Sequence, residues 1–376
     1  MNAGLYLHVP FCRTRCPFCD FAVTTDRGRV REWLEAVAKE MVLRSESWRI
    51  AFDTVYLGGG TPSLLEVEMV EWILAEARSR FRIKSGAEVT LEANPGTMGA
   101  GDFARLREAG VNRLSLGVQS FHEEDLVFLG RDHSVKDSLE SFRNAREEGF
   151  GNVSLDLIYG LPHQSPARWE EVVERAAALR PEHISAYQLT YERGTPLTRR
   201  KERGEFRDLS EEESRERFLH TRRILEEAGY RHYEVSSYAR REDLESRHNR
   251  KYWEGAPYLG LGPSAHSYRE GVRSWNTPRT SDYVEALGSG RDPVAGSETL
   301  SREEAILERI FLGLRTARGL RLDLFREDFG TDLRETHAMV LAELIEKGLG
   351  ILEANLFRLT ARGLAVADGI AARLGG

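Results

Sequence analysis

The chain has 376 residues, enough to bury a sizeable core, and its 41% hydrophobic and 30% charged content is ordinary for a folded globular protein. Its formal net charge of −7 excludes a general binder of nucleic-acid backbones, which needs a clustered basic excess. No stretch approaches eighteen consecutive apolar residues, and residues 1–11 hold no basic segment followed by an apolar one, so neither a transmembrane segment nor a secretory leader is expected and the protein is expected to be cytoplasmic.

The predicted elements begin with GLYLHV at residues 4–9, a short apolar run stopped by Pro10 that reads as a buried parallel strand. Its far end delivers a loop holding all three cysteines, Cys12, Cys16 and Cys19, in the spacing CxxxCxxC. An odd number of thiols within eight residues is no disulfide framework, but on a short loop they can converge on one soft metal centre. A structural zinc would require a fourth ligand from a distant histidine or carboxylate. A four-iron four-sulfur [4Fe-4S] cluster normally takes four cysteines, so three leave one iron open to a ligand from outside the chain. Free thiols suit a reducing compartment.

Val30 to Trp48 then reads as a helix, and a strand over Asp53 to Leu57 opens into Gly58, Gly59, Gly60, Thr61 and Pro62. Three glycines let backbone groups approach a ligand closely, although such a run alone is more often a tight turn. Helices at Leu65 to Phe81, Ala100 to Ala109, Val135 to Glu148 and Ala167 to Leu179 alternate with strands at Glu88 to Ala93, Arg113 to Val118, Asn152 to Tyr159 and His183 to Leu189. Six βα units in a row predict an α/β fold, a partial (β/α)6 TIM-type barrel with its chemistry on the loops after the strands. Glu92, Gln119 and Asp156 fall at or near such ends, where carboxylates and amides can hold the hydroxyls of a nucleoside; singly, each would be a capping or solvated residue. Arg131, in LGRDH, is either a ligand group or a surface ion pair.

Arg193 to Arg207 is rich in glycine and charge and reads as an exposed loop or lid, its basic residues a solvated surface or a contact for tetrapyrrole propionates. A helix at Glu211 to Ala228 and a strand at Tyr230 to Tyr238 precede HNRKYW, residues His248 to Trp253, and the glycine-rich YLGLGPSAHSY, Tyr258 to Tyr268. A potential axial ligand, aromatics and a flexible apolar turn fit a haem pocket, whereas a lone histidine among aromatics is usually packing. From about residue 301 the pattern is helical at Glu304 to Arg315, Leu322 to Phe329 and Leu333 to Lys347, then a hairpin near Gly350 to Leu359 and a last helix, the order of a winged-helix-like module. With eleven Lys and Arg against twelve Asp and Glu it lacks a basic recognition helix, so no nucleic-acid partner is expected. The expected division is 1–230 partial barrel, 231–300 extension with HNRKYW, and 301–376 C-terminal module.

Through Cys12, Cys16 and Cys19, and through GGGTPS, LEANP, GVQSF, LGRDH and DLIYGLP in order, the chain resembles the radical S-adenosylmethionine (SAM) superfamily, in particular its anaerobic coproporphyrinogen III dehydrogenase family. The resemblance implies a [4Fe-4S] cluster on the three cysteines, SAM on the open iron, and SAM contacts at Tyr6, Gly60, Thr61, Glu92, Gln119, Arg131 and Asp156. It also implies a reductant such as flavodoxin or ferredoxin. Two features resemble the HemW haem chaperone branch. Phe21 occupies the position of the dehydrogenases' fourth cysteine, and HNRKYW matches a segment proposed to contact haem, which implies a role for His248. The implied function is haem binding and transfer to an acceptor protein. The alternatives are a radical SAM enzyme, either oxidative decarboxylation of coproporphyrinogen III or methyl transfer.

Overall fold

The computed structural model describes residues 2–375. Six strands, β1 (Ala3–Val9), β2 (Ala51–Gly59), β3 (Arg82–Ala93), β4 (Arg113–Gln119), β5 (Val153–Tyr159) and β6 (His183–Gln188), run parallel in that order. Helices α1 (Val30–Ser45), α2 (Val67–Arg80), α3 (Ala100–Glu108), the pair α4 (Glu123–Phe128) and α5 (Val135–Glu147), and α6 (Pro166–Ala178) connect them. Alternate strand residues face opposite sides. On the outer side Leu5, Leu7 and Val9 share a core with Trp33, Val37 and Met41 of α1, each at most 2% exposed. Each such burial contributes about 1.5–3 kcal/mol. The inner side is polar instead: Tyr6, Tyr56, Glu92, Ser115, Asp156, Ser154 and His183 contact one another in pairs along and between neighbouring strands. That alternation explains why the strands read as mixed apolar and polar runs although both faces are covered.

After β6 come α7 (Pro196–Glu202) and α8 (Glu211–Glu227). The segment expected as an exposed loop therefore contains a helix, started by Thr195, whose hydroxyl accepts from the Thr198 amide, with Pro196 in the first turn. Its Leu197 is fully buried in a small cluster with Leu129, Ile158, Leu161 and Leu189, against Phe18 of the cysteine loop. The single strand expected over Tyr230 to Tyr238 is a hairpin, β7 (Arg231–Glu234) and β8 (Ser237–Ala239), because the Glu234 carboxylate accepts from the Ser236 amide in the turn and His232 stacks on Tyr238 across it.

The strand-start end of the barrel is closed by α9 (Arg247–Glu254). The Glu88 carboxylate accepts from the backbone amides of Arg247 and His248 at the helix N-terminus, and Lys251 pairs with Asp53. The Ser246 amide donates to Tyr233, whose hydroxyl meets His183 of β6, so α9 spans from β1 and β2 to β6 and the sheet must curve beneath it. Next, β9 (Tyr258–Leu261) pairs parallel with β1, and β10 (His266–Arg269), β11 (Val272–Asn276) and, after α10 (Thr280–Gly288), β12 (Val294–Thr299) extend the sheet antiparallel. Residues 231–300 thus add strands to both edges of the barrel sheet, giving twelve in all.

The C-terminal part holds α11 (Arg302–Leu314), β13 (Leu320–Arg321), α12 (Leu322–Phe329), α13 (Leu333–Thr336), α14 (Ala338–Glu346), the hairpin β14 (Gly350–Glu353) and β15 (Leu356–Leu359), and the closing helices α15 (Ala361–Leu364) and α16 (Ala367–Gly375). It has its own core of Ile310, Leu314, Phe325, Leu344, Phe357 and Leu374, into which α8 inserts Phe218. No helix among the described residues is long and apolar enough to cross a membrane.

Candidate functional site

The strand-end face opens into a cavity of about 820 Å³, within the ~300–1,000 Å³ usual for ligand sites. Cys12, Cys16, Cys19, Gly60, Thr61, Glu92, Gln119, Arg131 and Asp156 all line it, so nine of the eleven residues nominated from the sequence meet in one place.

The cysteine loop is clasped at both ends. The Cys12 amide donates to the Thr24 carbonyl at 3.0 Å and the Thr24 amide to Pro10 at 2.7 Å, which closes the loop on itself. The amides of Gly60 and Thr61 donate to Val9 and Phe11, both at 2.8 Å. A Cβ on Gly60 would sit 2.8 Å from those two carbonyl oxygens, closer than real contacts allow, so glycine is required where strand β2 presses on the loop. From the other side Leu197 of α7 donates its amide to the Pro17 carbonyl at 2.8 Å.

Burial raises the thiols of Cys12 and Cys19, so without a metal they stay protonated. Thr61 Oγ1 donates to Cys12 Sγ at 3.5 Å and Arg131 Nη1 to Cys16 Sγ at 3.4 Å, groups that favour thiolates once iron displaces the protons. Among the described residues no three His, Cys, Asp or Glu side chains are drawn close enough to hold one ion. Cys12, Cys16 and Cys19 all face the one cavity, and three thiolates are the donor set that would leave one iron of a [4Fe-4S] cluster open.

The remaining wall is built of buried polar groups. Glu92 accepts from the Tyr56 hydroxyl at 2.7 Å and the Gly59 amide at 3.1 Å, and burial pushes its carboxyl up to about 7. Asp156 accepts from Ser115 at 2.7 Å and Ser154 at 3.1 Å, and burial raises it as well. Arg131 donates to Asn94 Oδ1 at 2.5 Å, while its Nε, buried, has no partner in the protein. Gln119 has φ 65°, the left-handed region that a residue with a side chain enters at a cost of about 1 kcal/mol, and its buried Oε1 is also without a partner. Both residues line the cavity, and strain together with buried polar atoms left unpaired marks a position held for function. Tyr56 and Asn94, which position Glu92 and Arg131, went unnominated; Asn94 directly follows the end of β3, the signal that found Glu92, whereas Tyr56 lies three residues before the end of β2.

Two nominated residues are elsewhere. Tyr6 lies in the lumen beneath the wall, its hydroxyl 3.2 Å from His8 Nδ1 and its ring stacked on Tyr56. His248 is 1% exposed on α9 at the strand-start end of the barrel, its ring stacked 5.0 Å from that of Tyr56, which lines the cavity. Its Nδ1 is 2.8 Å from Thr54 Oγ1 and its Nε2 3.0 Å from the Tyr252 hydroxyl, so neither nitrogen is free for iron without unpacking α9.

Residues 6–176 match the model of the radical SAM superfamily, and residues 300–366 match that of the HemN C-terminal domain. The chain is 38% identical to a Mycobacterium tuberculosis protein named heme chaperone HemW over 98% of this chain and 93% of that one. It is 35% identical to a Bacillus subtilis protein of the same name, over 92% and 91% respectively. The fold superposes on coproporphyrinogen III oxidase HemN from Escherichia coli, a radical SAM enzyme, with a TM-score of 0.85 at 24% identity, covering 100% of this chain and 90% of that one. The chain therefore belongs to the HemW family of radical SAM proteins.

Proposed function

We propose that this protein binds haem and passes it to acceptor proteins, with a [4Fe-4S] cluster on Cys12, Cys16 and Cys19 and SAM at the cluster's open iron. The observation that carries the reading is full-length similarity to proteins named as haem chaperones. Phe21 supports it: where the dehydrogenases have a fourth cysteine, this chain exposes a phenylalanine, 59% accessible, at the cavity wall.

When bound, the cluster supplies one electron to the SAM sulfonium, drawn from a reductant such as flavodoxin or ferredoxin. The residues around it have separate tasks in this reading. Gly60 and Thr61 offer backbone groups to the amino group of SAM. Glu92 and Asp156 accept from ribose hydroxyls, and Gln119 offers its unpaired amide oxygen to the ligand. Arg131 holds charge beside Cys16 and faces the SAM carboxylate. Tyr6 acts from behind, bracing Tyr56, which in turn fixes Glu92. Residues 1–230 act as the cofactor barrel, 231–300 as its extension and 301–376 as a winged-helix-like module. A reducing, cytoplasmic setting suits the free thiols.

The test is anaerobic reconstitution followed by titration with ferric haem in the presence of SAM. The expected result is four irons and four sulfides per chain, about one haem retained through gel filtration, and loss of the cluster in Cys12→Ala. A chain that loads its cluster but retains no haem refutes the chaperone reading.

A further inference from the structure

The polar contacts behind the cysteine loop form one continuous chain that runs from one sulfur to another. Arg131, between α4 and α5, donates from Nη1 to Cys16 Sγ at 3.4 Å and from Nη2 to Asn94 Oδ1 at 2.5 Å. Asn94 Nδ2 donates to Thr61 Oγ1 at 3.2 Å, and Thr61 Oγ1 donates to Cys12 Sγ at 3.5 Å.

Valence fixes the direction of every bond in this chain. A guanidinium only donates, so the Asn94 amide turns its oxygen to Arg131 and its NH2 to Thr61. That NH2 also only donates, so Thr61 Oγ1 accepts from it and has its one proton left for Cys12. A single side chain therefore aims a donor at two of the three sulfurs.

The surroundings hold that amide in place. The Asn94 backbone N–H donates to Ser63 Oγ at 3.1 Å, its carbonyl accepts from Thr97 Oγ1 at 2.6 Å, and Pro95 disfavours a helical turn at it. Gly117 of β4 clears the space beside it: a Cβ there would come 3.2 Å from Asn94 Oδ1 and 3.4 Å from Arg131 Nη2, pressing on both partners.

We propose that Asn94 is a positioning residue for the cluster: by aiming Thr61 at Cys12 and Arg131 at Cys16, it raises the potential at which the cluster accepts an electron from its reductant. The assignment rests on the reading above that the three cysteines hold a [4Fe-4S] cluster. One-electron reduction adds negative charge, part of it on the cysteine sulfurs, and hydrogen bonds to those sulfurs are among the factors that set the potential of such a cluster. Donors there stabilise the reduced form, the more so when one carries the full charge of a guanidinium. Asn94 acts through the two groups it holds.

The test uses the full chain with its cluster reconstituted anaerobically and no SAM added, so that loss of a SAM contact cannot move the readout. The cluster is poised electrochemically and its reduced, paramagnetic form is counted by electron paramagnetic resonance, with iron and sulfide assayed on the same samples. Asn94→Leu, close in size but unable to hold either donor, is expected to keep its cluster and to lower the reduction equilibrium constant about tenfold, which for one electron is a potential about 59 mV more negative. Thr61→Val is expected to shift the potential in the same direction by less, and to shift it no further in the Asn94→Leu background. Only loaded chains give the signal, so the midpoint is read even where loading is partial; if Asn94→Leu loads none, Asn94→Ser, too short to span both donors, is read in its place. The potential of the unchanged chain in a loaded Asn94 variant overturns the assignment, as does a Thr61→Val shift that is undiminished in the Asn94→Leu background. An unchanged chain that loads no cluster overturns the cluster reading itself.

Discussion

At the scale of single residues the cavity stores free energy that a ligand can release. Glu92 is the clearest case, since burial, and then the charge of Asp156, raises its carboxyl to about 7, against about 4.3 in an unfolded chain. Between those values the unfolded chain gives up the proton while the folded one keeps it, so ionisation of Glu92 costs stability progressively as pH rises from about 4.3 to 7. Glu92→Gln is expected to flatten the pH dependence of urea unfolding in that window and to weaken SAM binding by about tenfold or more, the worth of a hydrogen bond to a charged group. Gln119 separates strain from function in the same way. Gln119→Gly should be more stable than Gln119→Ala by about 1 kcal/mol, because only glycine enters φ 65° freely. Both variants should lose SAM affinity equally, since both lose the unpaired amide; equal stability of the two would contradict the strain argument.

At the scale of elements, position relative to the barrel's two ends decides role. Helix α9 closes the strand-start end, and His248 is its central peg, bonded to Thr54 and Tyr252 and stacked on Tyr56 at 5.0 Å. His248→Ala is expected to cost about 2–4 kcal/mol in denaturant unfolding through the cavity and the unpaired hydroxyls it leaves, with the haem spectrum of the folded protein unchanged. This is where the sequence was least informative. HNRKYW reads equally well as a haem contact or as packing, because the pattern does not say whether the imidazole faces solvent or the barrel floor. The cavity wall was legible for the opposite reason: Glu92, Gln119 and Asp156 stand at or near ends of strands that are visible as apolar runs, and in parallel sheets those ends face the site. The lid hid Leu197 among charged neighbours, so α7 and its hold on Pro17 could not be read. The pairing of β9 with β1 joins residues some 250 positions apart, beyond any local pattern.

At the scale of the whole molecule, the radical SAM barrel is intact and Phe21 stands exposed at its mouth. If the proposed haem delivery is right, the cluster and SAM serve it without turning over porphyrinogens. The most direct measurement is chromatography of 5′-deoxyadenosine from cluster-loaded protein with SAM and reductant, in the presence and absence of coproporphyrinogen III, alongside the haem retained per chain. The expected result is about one haem retained and no deoxyadenosine release that depends on coproporphyrinogen III. Steady release that rises with coproporphyrinogen III, with no haem retained, would contradict it.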